Sequence, residues 1–277
     1  MDFKDVPSEC AIHVGDKEVC SSPEMISKMK DFLKAVGEYT GNISLSPTRI
    51  VETVKEKTGC DNESCIYTAS PFVKYIGPVA SIEATRELFK PEGPQKTDDL
   101  LSNFNIDDVL AQLSKKHPDF LHIPFQMRDF ESKNTQLATT DLAAKYREGM
   151  RRFGCVLNTD YSTGGGYHWY CIYGDFTQQV PTIEYYNSSG NYPLPETKKW
   201  LTSTKYKLQR ELGLPVEEVQ ILNHAVQKND VDCGVYCLHY IWCRVEGVPY
   251  SAFSDPITAP NDDLMKDVRL HLFRQPV

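Results

Sequence analysis

The 277-residue sequence lacks a secretory signal and any apolar run of membrane-spanning length. Its first twenty residues, MDFKDVPSECAIHVGDKEVC, contain acids and a proline where a signal peptide needs a basic start followed by an apolar stretch. These absences predict a protein that stays on the reducing side of the membrane, without membrane insertion.

Basic residues are in deficit as well. The 30 lysines and arginines are outnumbered by 38 acids, which gives a net charge of -8. Such a balance argues against a general phosphate-binding surface, so nucleic acid is not expected as a main ligand. Apolar residues at 40% and charged residues at 25% are ordinary for a globular protein, and the length allows a large core plus a smaller appendage.

No regular cysteine framework is present, although the chain has nine cysteines. An odd, scattered set in a mid-sized chain predicts mostly free thiols. Cys60 and Cys65, in GCDNESC, suggest a metal site or a bond formed under oxidation. A second candidate metal site is the group of Cys233, Cys237 and Cys243 with His239. The spacings match no familiar zinc signature, so we expect buried free thiols and neither metal nor cofactor.

Three amphipathic patterns near the N-terminus predict helices. Residues 23–37 place Met25, Met29, Phe32, Leu33 and Val36 at helical spacing. A second helix should open with Ser46 as N-cap and Pro47 as its first residue, and a third should open at Ser81. The sequence KPEGPQKTDD then has the composition of an exposed connection. We therefore predict a helical arm domain over residues 1–85 and a core domain over residues 86–277.

The core changes from helical to β-rich character after a helix in FNIDDVLAQLSKKH. The aromatic and β-branched stretches FGCVLNTD, YHWYCIYGDF and TIEYYNS predict neighbouring strands. A long charged helix ending at Gly213 and a strand in VEEVQILNHAV follow. From Cys233 to Glu246 the apolar residues recur at spacings of three and four, which predicts a mostly buried helix.

Cys233 is the candidate nucleophile. At a helix N-terminus its thiol would meet free backbone N–H groups and the helix dipole, which favour the thiolate and lower its pKa. A thiol nucleophile needs a histidine, and His168 stands where a glycine loop enters a strand. Asn187, at the end of the next strand, could orient the imidazole, with Asp175 ranked second.

An oxyanion hole completes the predicted site. The backbone N–H of Cys233 offers one donor, and the side-chain amide of Gln227 offers the second. Taken singly, each residue has an ordinary structural alternative, because free cysteines are usually buried and Asn187 in NSSGN has the character of a turn residue. The glycines of TGGG, at 163–166, predict a flexible loop before His168, and a self-cleavage site is the weaker interpretation.

The order His168-Trp169, Asn187, Gln227, then Asp232-Cys233-Gly234, resembles the Ulp/SENP and adenovirus-protease clan of cysteine peptidases. SECA, CDNESC, LLSNFNIDD, FGCVLNTDYSTGGGYHW, IEYYNSSGN and HLFR extend the resemblance to the SUMO-1-like polyprotein-processing proteases of African swine fever virus and related large DNA viruses. SUMO peptidases usually have an aspartate where this chain has Asn187.

The resemblance implies an α+β fold: a papain-like (Ulp/adenain-type) cysteine protease core, with a mixed β-sheet flanked by helices, plus an N-terminal helical arm domain. It implies Cys233, His168 and Asn187 as the catalytic triad and Gln227 as the oxyanion donor. It also implies cleavage of viral structural polyproteins after Gly-Gly during virion maturation, in the host cytoplasm and in the virion.

Gly-Gly specificity has a physical basis, because a narrow slot excludes any side chain, and Trp169 is a candidate wall of that slot. SUMO or ubiquitin-like modifiers also end in Gly-Gly, so an isopeptidase that removes such modifiers is the alternative activity. A binding module that keeps the fold without the chemistry is the alternative from another class, and the joint presence of all four catalytic parts argues against it.

Overall fold

A computed structural model describes residues 8–40, 42, 44–96, 98–221, 225–255 and 257–274. The contacts among them form two compact units, one of residues 8–92 with 271–274 and the other of residues 93–270. The division between the units, after residue 92, lies seven residues beyond the predicted boundary near residue 85. Residue 85 lies inside a helix, Pro78–Leu88, and Phe89 packs in the same apolar core as that helix.

The N-terminal unit is helical, as predicted. Its helices are α1 (Pro23–Ala35), α2 (Pro47–Thr58), α3 (Glu63–Ile66), α4 (Ser70–Ile76) and α5 (Pro78–Leu88). The hydroxyls of Ser22 and Ser46 accept the backbone N–H groups of Met25 and Arg49, which caps α1 and α2.

Two details of the helix predictions were wrong. Val36 was placed on the apolar face of the first helix, but it follows the end of α1 and is 50% exposed. Ser81 does not open α5, which begins three residues earlier at Pro78 because proline suits the first helical turn. Instead, Ser81 is buried and its hydroxyl donates to the carbonyl of Tyr67.

The arm also corrects the expectation of free thiols. Cys10 is bonded to Cys20, and Cys60 to Cys65. The buried carboxylate of Glu63 accepts the backbone N–H groups of Cys20 and Ser21, at 2.9 and 2.8 Å. Glu63 thus links the start of α3 to the segment that follows the Cys10–Cys20 disulfide.

The second unit contains, within its described residues, a sheet of five strands in the order β1-β2-β3-β4-β5. The strands are β1 (Phe120–His122), β2 (Arg152–Asn158), β3 (Trp169–Asp175), β4 (Thr182–Tyr186) and β5 (Glu217–Ile221). The outer pairs β1–β2 and β4–β5 are parallel, and the central pairs are antiparallel, so the sheet is mixed. The predicted strands lie side by side, while the three-residue β1 had no sequence signal.

Helices cover both faces of this sheet. The helices of the unit are α6 (Asn103–Lys116), α7 (Gln136–Thr139), α8 (Leu142–Arg147), α9 (Pro195–Leu212), α10 (Cys233–Val245), α11 (Ser251–Ser254) and α12 (Asp262–Leu272). Every residue of β3 and β4 is buried, and most of them are apolar or aromatic. Trp200 and Leu201 of α9 pack on one face, and α10 packs on the other.

The packing of α10 along β3 determines where Cys233 lies relative to the sheet. The Cys171 thiol lies 3.9 Å from the carbonyl oxygen of Cys237. One helical turn toward the start of α10 and two residues toward the start of β3 are nearly equal distances, about 6 Å each. Cys233 therefore lies beside Trp169, at the end of the sheet where His168 enters β3. Among the described residues, no helix is both long enough and apolar enough to cross a membrane.

Candidate active site

The sheet register brings His168 and Asn187 together. Cys171 pairs with Tyr186 and Ile172 with Tyr185 in the antiparallel β3–β4 ladder. Extending this register puts Asn187 opposite Tyr170, so that His168 and Asn187 are diagonal neighbours on one face, within reach of long side chains. Nε2 of His168 lies 2.8 Å from Oδ1 of Asn187, and the predicted pairing is present.

The surroundings of Asn187 fix the tautomer of His168. Oδ1 of Asn187 also accepts the backbone N–H and the hydroxyl of Ser189, while Nδ2 donates to the hydroxyl of Tyr185. With its amide held in this sense, Asn187 can only accept from the ring, so Nε2 of the neutral imidazole carries the proton. Nδ1 is left with a lone pair, as a general base requires.

Cys233 is the first residue of α10 and is 2% exposed. Backbone N–H groups of Trp169, Gly234 and Cys233 itself interact with its sulfur and lower the thiol pKa. Burial acts in the opposite direction and is the larger effect, so that the pKa of Cys233 rises to about 11. The expectation that the helix terminus alone would lower this pKa was wrong, because desolvation of the thiolate outweighs the dipole.

The imidazole is also neutral in the resting site. Burial lowers the pKa of His168, and the hydrogen bond to Asn187 offsets only part of that decrease. An asparagine, unlike a carboxylate, supplies no negative charge to balance an imidazolium. Burial thus favours the neutral form of both candidate groups, a thiol at Cys233 and an imidazole at His168.

Gln227 lies in the segment that leads to Cys233, the candidate nucleophile. Its Nε2 donates to the carbonyl of Asn229 at 2.8 Å, and its Oε1 accepts the hydroxyl of Ser188 at 2.7 Å. A primary amide has two N–H donors, so one remains for a ligand. Ser188 and Asn229 were missed by the sequence analysis because serine and asparagine in a loop carry no signal beyond turn formation.

Trp169 is held firmly beside the start of α10. Its indole N–H donates to the carbonyl of Leu101 at 3.1 Å, and its ring meets Phe125 edge-on at 6.1 Å. Leu101 also touches the first turn of α10, where a Cβ at position 234 would come within 3.1 Å of the Leu101 Cβ. Gly234 therefore permits a close approach that a larger residue would disturb.

A buried ion pair anchors the residue before the candidate nucleophile. Asp232 accepts from Arg269 at 2.5 Å and from Nδ2 of Asn229 at 2.7 Å. Because its carboxylate is engaged in this way, Asp232 does not cap α10 with its side chain. Asp175, the second choice for orienting the histidine, is at the other end of β3 and pairs with Arg244 at 3.1 Å.

The glycine segment before His168 is held by hydrogen bonds, in contrast to the free loop that its composition suggested. Oδ1 of buried Asn158 accepts the backbone N–H of Tyr167 at 2.8 Å, and Asp160 accepts that of Gly166 at 3.1 Å. Gly166 has φ of +89°, which requires glycine. The backbone that delivers His168 is thus fixed on its N-terminal side.

The remaining cysteines of the core occupy packing positions. Cys237 is fully buried one turn behind Cys233, and Cys243 lies 3.3 Å from Nε2 of His239, whose pKa burial lowers to about 4. Within the described part of the chain, no group of three or more histidines, cysteines and acids is arranged to hold a metal ion.

Known proteins are similar to this chain in sequence and in architecture. A family model for the "Ulp1 protease family, C-terminal catalytic domain" matches residues 156–274. The cysteine protease of an African swine fever virus isolate from a Malawi tick is 34% identical over 97% of this chain and 96% of its own length. A "SUMO-1 cysteine protease" from a Kenyan pig isolate of that virus has the same identity and coverage.

The fold agrees over the same span. A crystal structure of the African swine fever virus protease matches with a TM-score of 0.80 at 32% identity, covering 98% of this chain and 97% of that chain. A cysteine at the start of a buried helix, whose sulfur meets the backbone N–H of Trp169, and a histidine–asparagine pair formed by the residue before Trp169 at the end of a mixed sheet are compatible with a papain-like cysteine protease. The chain belongs to the Ulp1 family of cysteine proteases, which confirms the predicted family, fold class and enzyme class.

Proposed function

We propose that this protease cleaves structural polyproteins of a large DNA virus after Gly-Gly, and that it acts in the host cytoplasm and in the maturing particle. The proposed catalytic mechanism rests on the 2.8 Å contact between Nε2 of His168 and Oδ1 of Asn187. The residue after His168 is Trp169, whose backbone N–H interacts with the Cys233 thiol.

In the proposed reaction Cys233 is the nucleophile and His168 the general base. Nδ1 of His168 takes the thiol proton as sulfur attacks the carbonyl carbon of the second glycine, while Asn187 holds the ring through Nε2. The N–H of Cys233 and the free N–H of Gln227 stabilise the oxyanion. His168 then returns the proton to the leaving amine, and water, activated by the same nitrogen, hydrolyses the thioester.

Trp169 supports the preference for glycine. Its indole is fixed by Leu101 and Phe125, so it cannot turn aside to admit a substrate side chain without losing those contacts. A rigid aromatic wall beside the nucleophile discriminates by steric exclusion, which rejects a methyl group as well as larger groups.

A peptide panel tests the proposal. Gly-Gly-X peptides should be cleaved by the wild type, and Ala-Gly-X and Gly-Ala-X peptides at least about a hundredfold more slowly if a methyl group is excluded by steric clash. Cys233→Ser should abolish cleavage of all of them. Intact cleavage by Cys233→Ser would disprove the nucleophile, and equal cleavage of the alanine peptides would disprove the slot.

The same panel separates the two substrate classes. Fusions that end in a folded ubiquitin-like modifier should be cleaved no better than unstructured viral-type Gly-Gly-X junctions. Much faster cleavage of the modifier fusions would favour the deconjugating activity, which the name of the "SUMO-1 cysteine protease" relative also suggests.

A further inference from the structure

We infer that Ser188 is a positioning residue that holds the Gln227 amide with its N–H side available to the oxyanion. This inference rests on the proposed function, since it assigns Gln227 the oxyanion role. It begins from a hydroxyl that is fully buried and lies 2.7 Å from Oε1 of Gln227.

A glutamine amide has two faces of similar shape and opposite polarity, so an unanchored side chain can present either oxygen or nitrogen to a cleft. Only nitrogen can face the Asn229 carbonyl, which accepts at 2.8 Å. The Ser188 hydroxyl then donates to the oxygen and satisfies it. A flipped amide would set oxygen against the Asn229 carbonyl and repel the developing oxyanion as well.

Ser188 holds the backbone of the same segment too. Its carbonyl accepts the N–H groups of Val226 and Gln227, at 3.0 and 3.1 Å. Loss of the hydroxyl alone would leave these two bonds in place. Replacement of Ser188 by alanine therefore removes one of the two hydrogen bonds that fix the amide orientation, leaves the one to Asn229, and keeps the path of the chain.

Adjacent residues serve the two halves of the site in this arrangement. Asn187 bonds His168, and Ser188 bonds Gln227. Asn187 directly follows β4, and Ser188 lies in the turn that the hydrogen bond from Gly190 to the Asn187 carbonyl closes. The segment that leaves β4 thus contacts both the candidate base and the candidate oxyanion donor.

The test compares Ser188→Ala, Gln227→Ala and the double variant in steady-state cleavage of a Gly-Gly-X peptide. Removal of an oxyanion donor should lower kcat by about 10² to 10³ for Gln227→Ala. Ser188→Ala should lower kcat by about tenfold or more with little change in KM, and should add nothing in the Gln227→Ala background, because it acts through that amide. Ser189→Ala, which removes a donor to Asn187, is the matched control and should remain additive with Gln227→Ala.

Two probes of Cys233 separate orientation from general damage. A peptide aldehyde forms a tetrahedral adduct that needs the oxyanion hole, whereas iodoacetamide alkylates the thiol without one. Ser188→Ala should weaken aldehyde binding by about the factor lost in kcat, and leave the alkylation rate within about twofold of wild type. Ser188→Cys, which keeps the size and a weak donor, should fall between wild type and Ser188→Ala.

If Gln227→Ala lost much of its kcat while Ser188→Ala kept the kcat of the wild type, the Ser188 inference would be overturned and the proposed function would stand. Wild-type kinetics of Gln227→Ala would overturn both the oxyanion assignment and the inference. Equal losses of alkylation and aldehyde binding in Ser188→Ala would show a structural role only and also overturn it.

Discussion

Nε2 of His168 donates to Oδ1 of Asn187 over 2.8 Å, in a site where burial lowers the pKa of the imidazole. Asn187→Asp would place a carboxylate at that distance and raise the imidazole pKa by about one unit or more. The base acts only in its neutral form. If the imidazole pKa is higher, the base becomes protonated earlier as the pH falls, and activity is lost at a higher pH value. We expect the acidic limb of the kcat/KM profile to move upward, which steady-state kinetics across pH would measure.

The matched control for this change is Asn191→Asp. Asn191 is exposed, and its Nδ2 donates to the Ser189 hydroxyl, not to the imidazole. The same charge added at that position is screened by solvent and should move the acidic limb much less. An unshifted limb in Asn187→Asp would show that the His168–Asn187 contact does not govern the titration of the base.

The neutral state of the Cys233 thiol leads to a second prediction. With a pKa of about 11, caused mainly by burial, the thiolate fraction keeps growing with pH through the alkaline range. Inactivation of the wild type by iodoacetamide should therefore rise from pH 7 to pH 10 by about an order of magnitude per unit, without a plateau. Mass spectrometry of the alkylated peptide would show that Cys233 is the site.

A resting thiolate–imidazolium pair predicts the opposite profile. In such a pair the thiol has already transferred its proton to the imidazole. The alkylation rate would therefore no longer depend on pH near pH 6. Such a plateau would contradict the neutral pair. Cys155, which is fully buried, should stay unlabelled in the native protein and serves as the internal control.

The sequence was most informative where one local pattern determines one element. The spacing from Cys233 to Glu246 predicted α10 to within a residue, and stretches rich in aromatic and β-branched residues predicted β2, β3 and β4. His168 and Asn187 could be paired in advance because neighbouring antiparallel strands bring the start of one beside the end of the next.

Contacts between residues distant in sequence could not be predicted from such local patterns. The partners of Asp232 and Glu63 are a helix 37 residues later and a loop about 42 residues earlier, and no local periodicity encodes those distances. The pKa of Cys233 failed as a prediction for the same reason, since the thiol is buried by tertiary packing beside β3, where the backbone N–H of Trp169 meets it from 64 residues earlier. The disulfides depend on pairing geometry, which spacing alone does not determine.

The arm disulfides provide a third prediction. Cys10–Cys20 and Cys60–Cys65 close loops of ten and five residues in sequence separation. Each should stabilise the arm by about 2–3 kcal/mol by restricting the unfolded chain. A reductant should therefore lower the thermal midpoint of the arm, measured by calorimetry. It should have no such effect on a variant with serine at all four positions.

Thiol counting checks the bonded state directly. The protein denatured without reductant should label five cysteines, namely the five that are free in the core, and should label nine after reduction. Nine labels before reduction would mean that the arm cysteines are free in the protein as prepared, as the sequence had first suggested.

The buried pair of Asp232 and Arg269 gives the last prediction. Both side chains are only 7% exposed, and Asp232 immediately precedes Cys233, the proposed nucleophile. Arg269→Met would leave a buried carboxylate without its cation, which should cost about 3–5 kcal/mol in the free energy of unfolding by urea. Asp232→Asn in the same chain should recover much of that loss, because the remaining group is neutral and can still bond Asn229. The exposed pair of Lys266 and Asp263, also on α12, is the control, and Lys266→Met should hardly change the urea midpoint. If Arg269→Met were as mild as Lys266→Met, the carboxylate of Asp232 would have to be solvated or neutral, and the ion pair could not be what anchors the start of α10.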